Sequence, residues 1–131
     1  MTITLSTEHH LARLESTRAF LDRGTQAARV RIYGGDRPGA ASDTPSSVML
    51  VEVRLTRPCG SVVGGQLVLP AQENALITAS GLATWARLVS GEDVTAMDLD
   101  CSDLAGDGEI RFEQTQLYAG GYAQMANAVL G

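Results

Sequence analysis

From Ala28 onward the hydrophobic period is two, and no stretch holds it for long. Ala28, Val30 and Ile32 alternate with Arg29, Arg31 and Tyr33; Met49, Val51, Val53 and Leu55 alternate with Glu52 and Arg54. Successive side chains of a strand point to opposite faces, so each run reads as a strand with one face in a core. Further strands are expected over 61–69, 75–79, 82–89, 94–101, 109–115 and 122–130, with Gly64-Gly65 breaking the first of these as a bulge or a hairpin bend. About eight short strands, spaced roughly 8–14 residues apart with turn signals between them, predict a mainly β fold. The expected architecture is a single β-sandwich or a jelly-roll-like barrel. A chain of 131 residues fits one domain and can bury about two-thirds of its unfolded surface, enough for a core without staples. The longest breaker run, GGDRPGAASDTPSS over 34–47, reads as a surface loop long enough to be mobile or to reach a neighbour.

Ahead of the strands, 6–22 reads as the one helix. Ser6 or Thr7 can cap it, Glu8 suits the positive end of its dipole, and Gly24 can end it. Leu11, Leu14 and Leu21 fall near one face, with Phe20 beside them. So thin a stripe predicts a helix laid on a partner surface or a sheet edge rather than held in a core. The expected organisation is therefore an N-terminal arm and helix over 1–24 and a β domain over 25–131. Met49, Val51, Val53, Leu67, Leu69, Trp85, Leu99, Ile110 and Phe112 are the predicted core.

The net charge of −5 and a pI near 4.8 disfavour nonspecific binding to nucleic acid and attraction to anionic membranes. All ten basic residues are Arg, the residue suited to fixed bidentate contacts. Residues 1–91 carry nine Arg against seven acids, whereas 92–131 carry one Arg against eight. If the acidic segment occupies one face, identical subunits can pack head to tail; otherwise it is a solvated turn region. Cys59 and Cys101, 42 positions apart, match neither a metal spacing nor a disulfide framework, and they read as free thiols in or beside apolar strands. MTITLSTEHH lacks the basic and apolar regions of a signal peptide, and no segment reaches the ~20 apolar residues of a membrane span. The protein is expected to stay in the cytoplasm or to be assembled there into something larger.

Residues 81–109 hold the only Trp, Cys101 and seven acids. Within them, Asp98, Asp100, Ser102 and Glu109 fill positions 1, 3, 5 and 12 of an EF-hand-like calcium loop. Position 6 breaks the pattern, being Asp103 where the bend wants Gly, and the flanks read as strands. The plain alternative is a polar strand face ending in a hairpin turn at Asp107-Gly108. His9 and His10 are neighbours on a helix and point apart, so they cannot chelate one ion. Cys59 has no His near it in sequence to act as a base. The pairs Gly34-Gly35, Gly64-Gly65 and Gly120-Gly121 lack the context of a phosphate cradle and read as turns. Trp85 reads as a core or interface aromatic. With no nucleophile–base pair in view, the chain is expected to be no enzyme and to carry no cofactor, calcium at 98–109 excepted.

The order of features is a leading LARLESTRAFLD, then RVRIYGGDRP, a strand pair ending in GGQLVL, ATWARLVSGEDVTAMDLDCSDLAGDGEIRF, and LYAGG before a last apolar strand. This order resembles small all-β structural proteins of tailed bacteriophages and prophages. The likeness spans nearly the whole chain and rests on ATWARLV with its acidic strand and turn, and on RIYGGDRP. It implies a virion structural protein assembled in the host cytoplasm. The first expectation is a capsid decoration or cement protein, a homo-oligomer on a major capsid or other virion protein. The alternative within that class is a tail, collar or head–tail accessory protein. The docking elements would be the helix, through Leu11, Leu14, Arg18, Phe20 and Leu21, and the loop, through Asp36 and Arg37. A reading of another class is a calcium-dependent carbohydrate- or receptor-binding β-sandwich, for which one Trp and three Tyr offer few stacking platforms.

Overall fold

A computed structural model describes residues 4–131. The described residues are mainly β, with one helix among them, α1 (Thr7–Leu21). Its strands are β1 (Arg29–Tyr33), β2 (Met49–Arg54), β3 (Ser61–Val63), β4 (Gln66–Val68), β5 (Ala75–Leu76), β6 (Gly81–Leu82), β7 (Trp85–Val89), β8 (Thr95–Ser102), β9 (Ile110–Phe112), β10 (Gln116–Leu117), β11 (Tyr122–Ala123) and β12 (Met125–Leu130). Eight of them form one sheet in the order β2-β1-β7-β8-β9-β12-β4-β3, curled into a half-barrel. The other four pair as two short ribbons, β10 with β6 and β11 with β5.

The alternation read from the sequence places the core. Val30 and Ile32, Val51 and Val53, Ala86 and Leu88, Leu99, Ile110 and Phe112 line the inner face of the sheet, and Ile77, Ala83, Leu117 and Ala123 join them from the ribbons and their flanks. Every predicted core residue is buried except Met49, which is half-buried beside the register shift at the end of the β1–β2 pairing.

Several expected strands divide where the chain changes partner. The 61–69 run is a hairpin, in which Val63 pairs Gln66 across Gly64 and Gly65. Both glycines have positive φ, 60° and 80°, as a two-residue turn with the twist of the flanking strands requires. The 82–89 run splits because β6 pairs with β10, whereas β7 lies between β1 and β8. The last run likewise splits into β11 against β5 and β12 against β9 and β4.

The helix departs furthest from expectation. Ser6 caps it, accepting from the His9 amide at 3.2 Å. Leu14 and Leu21, two turns apart on one line, enter the same core as the sheet, and Leu21 is fully buried. Two large side chains suffice because the helix packs across β3, β4 and β8, where the curled sheet leaves its interior open. The helix exit is tied down as well. Asp22 Oδ1 accepts from the Cys59 amide at 2.8 Å, and Arg57 donates to the carbonyls of Gly24 (2.6 Å) and Gln26 (2.8 Å). Leu14 and Leu21 are thus core residues rather than exposed docking residues, and the core they join spans the expected 24/25 boundary. Leu11 stays exposed, Phe20 is half-buried, and Arg18 pairs with Glu15 on the same helix.

Leu21→Ala should therefore lose about 2–5 kcal/mol of stability, whereas Leu11→Ala should stay within about 0.5 kcal/mol of the parent. Chemical denaturation of the two variants measures this; equal small losses would return the helix to the surface.

Candidate functional site

Trp85, Arg87 and Val89 alternate with the core-facing Ala86 and Leu88, so they lie on the outer face of the sheet, yet all five residues of β7 are buried. The 34–47 segment is the reason. Trp85 Nε1 donates to Gly34 O at 3.2 Å, Thr84 Oγ1 to Gly35 O at 2.6 Å, and Arg87 Nη1 to Asp43 O at 2.8 Å. Arg37 donates to the Asp100 carboxylate and, at 3.4 Å, to Asp98 O. The expected free loop is a flap fastened across the sheet, and Arg37 is one of its fastenings. Asp36 remains exposed.

Under the flap, Tyr33 and Trp85 are cross-strand partners and stack with centroids 4.5 Å apart. Arg87 faces its register partner Asp98, Nε to Oδ1 at 2.8 Å and Nη2 to Oδ2 at 3.1 Å, with side chains only 7 % and 5 % exposed. The guanidinium also lies 5.5 Å from the Trp85 ring centroid. The hydrogen bonds that Arg87 donates to Asp98 raise the Arg87 pKa, which keeps this buried cation charged. Beyond the flap, Arg31 donates to Glu52 at 2.8 Å and to Asp93 at 2.6 Å, and Asp93 also accepts from Arg29 at 2.9 Å. These arginines, Arg31 first, pull the Asp93 pKa down. Asp93 has a positive φ of 67° in the β7–β8 turn, a conformation that Asp tolerates better than most residues.

The four calcium-loop candidates are each held by the protein itself. Asp98 and Asp100 share a strand face, opposite Leu99, and are taken by Arg87 and Arg37. Ser102 Oγ accepts from the Gly108 amide and donates to Asp103 O, both at 2.9 Å, and Glu109 Oε1 accepts from the Asp100 amide at 3.2 Å. Among the described residues, no three His, Cys, Asp or Glu side chains gather where one ion could meet them. The expected Asp107-Gly108 hairpin is also corrected. The bend sits at Asp103, whose Oδ1 accepts from the amides of Ala105 and Gly106, and β9 runs parallel to β8. Gly108 permits this return, since a Cβ there would stand 2.8 Å from both Asp100 O and Ser102 N.

The other candidates are placed apart from one another. His10 Nε2 donates to Gly65 O at 2.8 Å, pinning the helix to the β3–β4 turn, while His9 is exposed. Cys59 is fully buried and Cys101 half-buried, and both are free thiols. Burial pushes each thiol up to about 12.

One surface was missed in the sequence. Leu76, Leu82, Tyr118 and Tyr122 on and beside the two ribbons are each more than half exposed, and Tyr122 directly faces Leu76 across the β5–β11 pair. A groove of about 310 Å³ is lined by Tyr118 and Tyr122 together with Gln114, Gln116, Gln124 and Glu113. The visible signal was LYAGGY, two tyrosines flanking a glycine turn, in which Gly120 has a φ of 91°. This surface offers aromatic faces and amide hydrogen bonds. No family model matches the chain, and searches of curated proteins and of solved structures return no match either.

Two outcomes follow. Asp98→Ala strands a buried guanidinium and should cost about 3–5 kcal/mol, whereas Arg37→Ala, which breaks a more exposed pair, should cost about 1 kcal/mol or less in denaturant titrations. Both thiols should resist a thiolate-specific reagent at pH 8 until the chain is unfolded. Because their folded pKa of about 12 lies above the ordinary 9.0, their contribution to stability is complete below pH 9.0 and falls as pH rises towards 12. Rapid labelling of native protein would contradict their burial.

Proposed function

We propose that this chain is a structural, non-catalytic protein of a bacteriophage virion, in the first place a capsid decoration or cement protein that acts as a homo-oligomer on a major capsid protein. The observation that carries the reading is the ribbon surface. Leu76, Leu82, Tyr118 and Tyr122 stand out from a scaffold whose helix and long loop are occupied in its own packing. An apolar, Tyr-bearing centre with an amide rim has the make-up of a protein–protein contact. The resemblance of the chain to virion proteins supports the same class, and a tail, collar or head–tail position is the alternative within it. The fold that goes with this reading is a β-sandwich or jelly-roll-like barrel, with the curled sheet as its large wall and the helix and the two ribbons packed against its core.

A second reading draws on the same groove. Two exposed tyrosine rings beside glutamines also suit a saccharide, which stacks on aromatics and hydrogen-bonds to amides, so a carbohydrate- or receptor-binding domain, read from the sequence as calcium-dependent, is the alternative of another class.

Particles purified from a host carrying the gene should contain the chain at a fixed copy number, and labelled antibody should decorate the shell. A Leu76→Ser, Tyr122→Ser variant should fold with unchanged circular dichroism and be lost from the particles. Absence of the parent chain from purified particles would reject the virion reading, and saturable binding to a glycan array, lost in the same variant, would favour the other.

A further inference from the structure

The outer corner of the β1–β2 pair concentrates positive charge in a chain that is acidic overall. Arg29 and Arg54 are directly opposed in the register, so both guanidinium groups leave the same face of adjacent strands. Like charges placed directly opposite destabilise a strand pair unless something lies between them. Arg57 reaches the same place from the turn after β2, held over it by the carbonyls of Gly24 and Gln26. The three arginines line a cleft of about 420 Å³, completed by Thr25, Gln26 and Gln72.

The carboxylates nearby do not balance them. Asp93 is shared between Arg29 and Arg31, and Glu52 is taken by Arg31. Among the described residues, neither Arg54 nor Arg57 has a carboxylate within salt-bridge distance. Arg29 Nε is buried and has no acceptor, so this guanidinium is satisfied on the Asp93 side alone.

The geometry points to an oxyanion-binding site formed by Arg29, Arg54 and Arg57. Guanidinium groups present N–H donors in a planar fork that matches phosphate or carboxylate oxygens, and Gln72 and Thr25 add neutral polar groups. The cleft volume falls within the range of small-ligand pockets and exceeds what one phosphate fills, so the ligand is an oxyanion group borne on something larger or one of several in a row. Two sources have this chemistry: a free phosphorylated small molecule, and the carboxylates of an acidic protein segment, such as the exposed Asp103 and Asp107 in the 98–109 turn of a second copy. The site lies apart from the tyrosine groove, so it stands or falls independently of the virion reading.

The test is the melting temperature of the full chain against inorganic phosphate, at ionic strength held constant with chloride. A saturable rise is expected, because a ligand that binds only the folded state stabilises it. Arg54→Gln should weaken the apparent phosphate affinity at least tenfold, whereas Arg13→Gln, on the exposed helix face, should leave it unchanged. A parallel titration with a synthetic 98–109 peptide separates the sources. Tighter binding of the peptide assigns the site to a neighbouring chain, and tighter binding of phosphate assigns it to a free oxyanion. Failure of both ligands to stabilise beyond chloride overturns the proposal, as does an Arg54→Gln variant that answers phosphate like the parent.

Discussion

The outer face of the sheet is organised around the Arg87–Asp98 pair. A fully formed charge pair away from water survives only when its geometry and remaining hydrogen bonds offset desolvation. Here Nε and Nη2 bond the two carboxylate oxygens in parallel, Nη1 takes the Asp43 carbonyl, and the Trp85 ring lies alongside. The pair joins β7 to β8 and holds the 34–47 flap in the same contact. That flap covers Tyr33 and Trp85, so the central strand is buried on both sides, as in a layered domain.

This arrangement governs what the surface can do. The helix contributes Leu14 and Leu21 to the core, and the flap spends its carbonyls and Arg37 on the sheet beneath it. Elements that look like free docking arms in the sequence are therefore internal braces. Two surfaces of different character are left. The ribbon end is aromatic and apolar, suited to a protein or a saccharide, and the β1–β2 corner is cationic and concave, suited to an oxyanion. The acidic stretch is half neutralised from within: Glu92, Asp93, Asp98 and Asp100 each meet arginines of the first 91 residues. The excess of Arg in the first 91 residues and of acid in the rest is thus in part an intramolecular complement.

Local pattern carried much of the fold. Alternation located the strands and the faces of Val51, Val53, Leu99, Ile110 and Phe112; Ser6 or Thr7 marked the helix start, and Gly64-Gly65 marked a break open to a bulge or a hairpin bend. These features depend on neighbours a few residues away, through side-chain direction, backbone freedom and capping. The mainly β class with one leading helix follows from them.

What only the tertiary structure decided is who meets whom. Trp85 was legible as buried, but the covering of the outer face that it shares with Arg87 was not, because a strand's period is the same whether one side is covered or both. The Asp98–Arg87 pair joins residues 11 apart and the Asp100–Arg37 pair residues 63 apart, and such separations leave no periodic trace. The thin stripe of α1 gave no sign that two leucines suffice when the receiving surface is the mouth of a curled sheet. The arginine corner and the tyrosine groove arise in the same way: strand register sets Arg29 against Arg54, and ribbon pairing sets Tyr122 against Leu76. Sequence determines the residues and their local faces; register and curvature, fixed by burying one continuous core, determine which of them share a site.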